Sequence, residues 1–324
     1  MFFKKKIVTD ENKIKGAILG AIVGDAMGVP FECVDIAFGL KTKEDLKYVK
    51  PKEVGMWSDD SSMILCLTES LLDGYNLYDI ADSYRDWLYY AKWTPQGVCF
   101  DCGRTTSIAL KNYNKTGFIS GLTDEKDSGN GSLMRIMPLL FYVHKNMNER
   151  FELIEEVSAI THNTMLCKIG CAIYIELALN IYNGFDKINA YKEMQKTILN
   201  HYKDYPKELE AYHKILKEDI WTLDTTDWVG HGFIVPTLEC ALYSFMTTKN
   251  YKECITKAIR FSCDTDTIAS IAGGLMGLEL GDSAIPNKWI NGLARKEDID
   301  NLLDDFYKTY KKRGLINPLF VLLY

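Results

Sequence analysis

This chain has no excess of positive charge, no disulfide framework and no low-complexity linker, and each absence excludes a class. A formal net charge of −6 argues against a nucleic-acid or anionic-membrane surface as the main partner. No Pro/Ser/Gly-rich run or charge block interrupts the 324 residues, so a single domain over 1–324 is expected. The nine cysteines are odd in number and irregular in spacing. Cys99 and Cys102 make one C-x-x-C without a second pair at zinc-ribbon distance. Mostly buried thiols in a reducing, cytoplasmic setting are expected. Phe2-Phe3-Lys4-Lys5-Lys6 is followed by polar residues rather than an apolar stretch, which abolishes a signal-peptide reading. The apolar run Gly16 to Val23 reads as too short to span a bilayer. No convincing run of alternating strand residues is present.

What remains is helix. With 47% apolar and 25% charged residues, the composition is that of an ordinary globular protein with a large core. Gly16, Gly20, Gly24 and Gly28 recur every fourth residue, leaving one helical face without side chains. Because glycine costs helix stability relative to alanine, this pattern predicts a buried helix packed closely against another. Ile268 to Leu280 repeats the device with Gly273, Gly274 and Gly277. Further helices are predicted over Ser62 to Leu72, Tyr78 to Trp93, within Leu133 to Val143, and over Thr164 to Ile181, Thr237 to Phe245 and Tyr251 to Phe261. The largely polar stretch Phe185 to Lys217 should lie outside. The expected architecture is an all-α, compact, many-helix bundle with the small-residue helices at its centre.

Two acidic clusters carry the chemistry. Trp57-Ser58-Asp59-Asp60-Ser61-Ser62 and Cys263-Asp264-Thr265-Asp266-Thr267 each lead into a helix and combine carboxylates with hydroxyls. Such donors suit hard cations such as Mg²⁺ or Mn²⁺ better than Zn²⁺. Four aspartates brought together would repel one another unless a cation neutralised them. The bland alternative is that both are N-caps, since Ser and Asp are preferred there. Gly24-Asp25 and Glu32 add carboxylates near the end of the glycine helix; a helix stop with solvated acids is the competing reading. Asp127-Ser128-Gly129-Asn130-Gly131-Ser132 precedes a helix and leaves backbone N–H groups able to converge on a phosphate. It lacks the Lys-Ser/Thr of a P-loop, and an ordinary turn is the alternative. His162, in Thr161-His162-Asn163-Thr164, reads alone as a cap or satisfied polar residue. His231 is assigned no role.

In this order the elements resemble the ADP-ribosylglycohydrolase family. The resemblance covers most of the chain: Gly24 to Glu32, Trp57 to Ser61, Asp101-Cys102-Gly103-Arg104-Thr105-Thr106, Gly129-Asn130-Gly131 with Met134-Arg135 and Pro138, Thr161-His162, Gly232-Phe233 with Thr237-Leu238-Glu239, Asp264 to Thr267, and Ile285-Pro286 with Trp289. It implies an all-α fold and a binuclear Mg²⁺ (or Mn²⁺) centre. Ser58, Asp59 and Asp60 would ligate from one side, Asp264, Asp266 and Thr267 from the other, with Glu32 reaching the same centre. Gly129, Asn130, Gly131 and Ser132 would contact the diphosphate of ADP-ribose, with His162 close by. The implied activity is hydrolysis of the bond between ADP-ribose and a modified side chain, with Asp59, Asp127 and Glu32 as catalytic candidates. The implied partner is an ADP-ribosylated protein or a small-molecule ADP-ribose conjugate, and a monomer is the favoured state.

This chain departs from the family pattern in places. Ser58 and Ser61 replace threonines, and Ser262-Cys263 stands where many members have Gly-Gly. Asp127, where a serine-directed relative carries Ser, leans toward an ADP-ribosyl-arginine substrate. The rivals are an O-linked (serine) conjugate, a non-catalytic ADP-ribose binder or crystallin-like relative, and another Mg²⁺-dependent helical enzyme. A terpene synthase needs Asp-Asp-x-x-Asp, but the fifth position here is Met63; HD-type phosphohydrolases need His-Asp, which is missing.

Overall fold

The computed structural model describes residues 8–32 and 55–316; Phe2 to Ile7, the basic segment weighed against a signal peptide, lie outside them. The described residues form 15 α-helices. They are α1 (Asp10–Gly28), α2 (Asp59–Ser70), α3 (Leu77–Tyr90), α4 (Arg104–Thr116), α5 (Leu139–Val143), α6 (Arg150–Ala159), α7 (Met165–Tyr182) and α8 (Lys187–His201). After these come α9 (Pro206–Ala211), α10 (His213–Leu216), α11 (Ile234–Met246), α12 (Tyr251–Ile259), α13 (Thr265–Leu280), α14 (Asn287–Ile290) and α15 (Lys296–Ile316). Among these residues extended pairing is limited to two isolated bridges, Leu122 with His162 and Gly129 with Phe233. The fold is all-α, as expected.

The centre is the antiparallel pair α1 and α13. A Cβ built on Gly20 would lie 2.4 Å from the carbonyl oxygen of Gly273, and one on Gly28 2.4 Å from Cα of Asp266. Only glycine permits this backbone-to-backbone approach. Tyr251 seals the pair from α12, its hydroxyl donating to the carbonyl of Gly20. The close packing brings the C-terminal end of α1, which leads through a 3₁₀ turn (Val29–Phe31) to Glu32, against the N-terminal end of α13.

Helices α11 and α12 pack on α13, α8 packs on α7, and α3 packs on α2. By length and composition α1 (extended to Phe31) and α7 could cross a membrane, so the apolar stretch is longer than Gly16 to Val23 indicates. In each, however, 78% of the apolar window is buried inside the fold. Pro138 neither interrupts nor kinks a helix: it is the N-cap of α5.

Candidate functional site

Both acidic clusters start their helices earlier than the apolar pattern indicates. Ser58 is the N-cap of α2; its hydroxyl accepts the backbone N–H of Asp60 at 3.2 Å, which puts Asp59 and Asp60 in the first turn. The cap reading of Ser58 is thereby met. Asp264 occupies the N-cap position of α13 without capping it. Its carboxylate is turned to the side-chain amide of Asn130, at 2.6 Å. A tertiary partner has taken it from the local one.

The clusters meet. The hydroxyl of Thr267 donates to Oδ2 of Asp60 at 3.2 Å across 207 residues of sequence. Asp59, Asp60 and Asp266 are all held well above the ordinary carboxylate range, chiefly by burial. The next causes are neighbouring charges: Asp101, Asp25 and Asp264 for Asp59; Asp25, Asp59 and Asp264 for Asp60; and Asp264, Asp60 and Glu32 for Asp266.

Glu32, Asp101 and Asp266 each offer an oxygen, all within 4.8 Å of one another. Oδ1 of Asp60 is buried with no hydrogen-bond partner among the described residues. A buried, unsatisfied carboxylate oxygen among crowded carboxylates is the arrangement a cation relieves, and an all-oxygen donor set fits a hard divalent ion. The residues present fit such a group.

A solvated acid at a helix stop is the competing sequence expectation for Asp25. It is instead fully buried inside α1. Its carboxylate accepts the backbone N–H of Ser58 at 3.1 Å, the backbone N–H of Ser61 at 3.0 Å and the Ser61 hydroxyl. Burial pushes it up to about 6 against the opposing pull of those donors. The buried indole of Trp57 donates to the carbonyl of Trp93 and anchors the same turn from the other side.

A cleft of about 320 Å³ opens over this centre, lined by Glu32, Asp59, Asp101, Asp264, Asp266 and Thr267 on one side. Gly129, Asn130, Gly131 and His162 line the other. The glycine turn is tied down by the N–H of Asn130 donating to the carbonyl of Gly232 at 3.1 Å. A Cβ on Gly131 would meet the His162 ring at 2.7 Å and the Thr106 hydroxyl at 3.0 Å, so that position has room only for glycine.

His162 is no helix cap, since Thr164 caps α7. Arg135, buried under the Tyr84 ring, donates to the Thr161 hydroxyl at 2.8 Å. That hydroxyl lies 2.8 Å from Nδ1 of His162. The other ring nitrogen, Nε2, faces the glycine turn, 3.4 Å from where a Cβ on Gly129 would be. Burial, then the Arg135 charge, lower the His162 pKa to about 3, so the ring is neutral near pH 7.

Four expected residues stand apart from the cleft surface: Ser58 and Asp60, both buried at the start of α2, and Ser132 and Asp127. The Ser132 side chain is fully buried and accepts from Ser158 at 3.0 Å. Asp127 is buried and engaged by Arg104, Nη1 to Oδ1 at 2.5 Å, and by the Thr105 hydroxyl at 3.4 Å.

Sequence reasoning missed the contribution of Asp101. It lies in the short Asp-Cys-Gly-Arg-Thr-Thr motif, in a left-handed backbone conformation (φ 56°) that Asp tolerates better than most residues. Ser262 and Cys263 are also left-handed, with φ 69° and 62°. The loop keeps a glycine-type path without the glycines.

Fold and cleft define an all-α protein with a carboxylate-rich, cation-suited site beside a glycine turn. The chain belongs to the ADP-ribosylglycohydrolase family, whose model matches residues 7–315. It is 27% identical to the ADP-ribosylarginine hydrolase Tri1 of Serratia proteamaculans, covering 91% of this chain and 79% of that protein. It is 26% identical to the ADP-ribosyl-[dinitrogen reductase] glycohydrolase of Rhodospirillum rubrum, covering 87% and 90%. Among solved structures it matches an ADP-ribosylglycohydrolase-related protein complex with a TM-score of 0.71 at 26% identity, over 93% of this chain and 98% of that one. Hydrolysis of ADP-ribose linkages is the activity that family membership supports.

Proposed function

We propose that this protein hydrolyses the N-glycosidic bond between ADP-ribose and an arginine side chain, with two Mg²⁺ or Mn²⁺ ions in the cleft. The observation that carries the reading is the convergence of Asp59, Asp264, Asp266, Glu32 and Asp101 on one cleft with the Gly129–Gly131 turn. The arginine linkage draws its support from the relatives whose names specify ADP-ribosylarginine and ADP-ribosyl-[dinitrogen reductase].

Asp59, Asp60, Asp264, Asp266 and Thr267 would hold the ions, with Ser58 and Glu32 at the same centre and Asp101 added to the set. When bound, such ions polarise oxygen ligands and lower the pKa of water. The backbone of the Gly129–Gly131 turn would receive the diphosphate, with the neutral His162 ring beside it donating from Nε2 when Nδ1 accepts from Thr161. The distal ribose would then lie over the carboxylates.

Glycosidic cleavage passes through an oxocarbenium-like state, which the surrounding carboxylates favour electrostatically. Water adds to C1″, the C1″–N bond breaks, and the guanidine departs with the pair of electrons. Glu32, at the cleft surface beside Asp101 and Asp266, is our choice for the group that takes the water's proton.

The test is ADP-ribose release from an arginine-linked substrate by wild type and Glu32→Gln. Loss of turnover by at least about 100-fold with binding retained supports this role, and full turnover in the variant excludes it.

A further inference from the structure

The cleft poses an electrostatic problem for an anionic ligand. Glu32, Asp59, Asp101, Asp264 and Asp266 line it, and a diphosphate must approach the turn that begins just after buried Asp127. The cationic side chains lining the same cleft are Arg104 and Lys126. Lys126 is paired with Asp124 at 2.8 Å, both of them exposed.

Arg104 is different. It opens α4, and its Nη1 bonds the buried carboxylate of Asp127 at 2.5 Å, with the Arg104 side chain 63% exposed and that of Asp127 only 5%. The pairing is therefore one-sided. The carboxylate is enclosed, while the guanidinium uses one of its five N–H donors there and stays open to the cleft. Guanidinium groups match phosphate oxygens with a planar fork of donors. The next residues continue toward the turn, since the Thr106 hydroxyl lies 3.0 Å from where a Cβ on Gly131 would be.

We propose that Arg104 determines specificity for the diphosphate by donating to it directly, and that Asp127 is a positioning residue that holds the guanidinium beside the Gly129–Gly131 turn. This rests on the reading of ADP-ribose as the ligand. It gives Asp127 a task other than proton transfer: its oxygen Oδ1 is occupied by Arg104 and Thr105. An unpaired carboxylate buried just behind the phosphate cradle would otherwise repel the ligand, and the ion pair offsets that charge.

Titration calorimetry with Mg²⁺ present separates the parts, using ADP-ribose, ADP and adenosine as probes on wild type, Arg104→Gln and Arg104→Lys. The expected result is about tenfold weaker binding of ADP-ribose and of ADP to Arg104→Gln, unchanged adenosine binding, and intermediate values for Arg104→Lys, which keeps the charge but not the fork. In turnover, Asp127→Asn should raise KM several-fold and leave kcat within about threefold, the pattern of a binding rather than a chemical defect.

Wild-type affinity for ADP-ribose in Arg104→Gln overturns the proposal, as does equal loss of adenosine binding. A collapse of kcat in Asp127→Asn with ADP-ribose affinity intact overturns the positioning role. If wild type binds no ADP-ribose, the reading of the ligand itself fails, and the proposal falls with it.

Discussion

Asp25 holds Ser61 twice, its Oδ2 accepting both the backbone N–H at 3.0 Å and the hydroxyl. With Ser58 bonded to the same carboxylate, the first turn of α2 is fixed by a residue outside the cleft lining. Asp25→Ala should therefore act at a distance. We expect a stability loss of about 1–3 kcal/mol from the stranded buried donors. We also expect Mn²⁺ affinity to fall about 10–100-fold, as when groups that orient metal ligands are removed. Thermal melts and Mn²⁺ titration read the two effects separately; unchanged Mn²⁺ affinity would refute the orienting role.

The α1–α13 contact makes a second prediction. In Gly20→Ala the new methyl group would lie 2.4 Å from the Gly273 carbonyl oxygen, and backbone cannot rotate away as a side chain can. Overpacking of this kind costs about 1–3 kcal/mol or more. A lowered urea midpoint with unchanged slope is the expected measurement. A midpoint equal to wild type would mean that the helices can separate freely.

His162 supplies a pH dependence. Its folded-state pKa of about 3 lies below the unfolded value of about 6.5, so between them the unfolded chain binds the proton and the folded chain does not. The contribution to stability is complete above about pH 6.5 and is lost as pH falls toward 3. Below about pH 6.5 the wild type should lose up to about 1.4 kcal/mol per pH unit relative to His162→Gln. Urea denaturation from pH 5 to 7.5 measures it, and parallel profiles for the two proteins would contradict it.

The left-handed pair Ser262 and Cys263 should accept glycine. Left-handed backbone costs a non-glycine residue about 1–2 kcal/mol, while glycine's extra freedom in the unfolded chain returns about 0.4–1 kcal/mol of that. Cys263→Gly is expected to match wild type or exceed it by up to about 1 kcal/mol in stability, and Cys263→Ala to show no gain. A clear loss of stability in Cys263→Gly would show that the thiol's contacts outweigh the strain.

The small-residue spacing at Gly16, Gly20, Gly24 and Gly28 carried the central packing legibly, because close approach leaves a periodic mark in one segment. The two acidic clusters were legible for a similar reason, as carboxylates and hydroxyls adjacent in sequence. Other features depend on partners far along the chain. Asp25 looked like a helix stop because its donors lie 33 and 36 residues away. Asp264 looked like a cap because its competitor, Asn130, is 134 residues away. Asp101 sits in a loop without periodicity, and only the fold brings it to Glu32 and Asp266. The apolar pattern puts the helix starts at Ser62 and Ile268 rather than Asp59 and Thr265, since polar first turns lie outside it. α4, α6, α14 and α15 lie outside the segments whose apolar pattern predicts helix; in α4 and α15 polar and charged faces dilute that pattern.

The measurement that bears most directly on the central claim is ADP-ribose release from two defined substrates, one modified on arginine and one on serine, each with Mg²⁺ and with EDTA. The account predicts release from the arginine-linked substrate in Mg²⁺ and its loss in EDTA. Release undiminished by EDTA would contradict the metal centre, release from the serine substrate alone would contradict the linkage, and binding of ADP-ribose without any release would contradict catalysis.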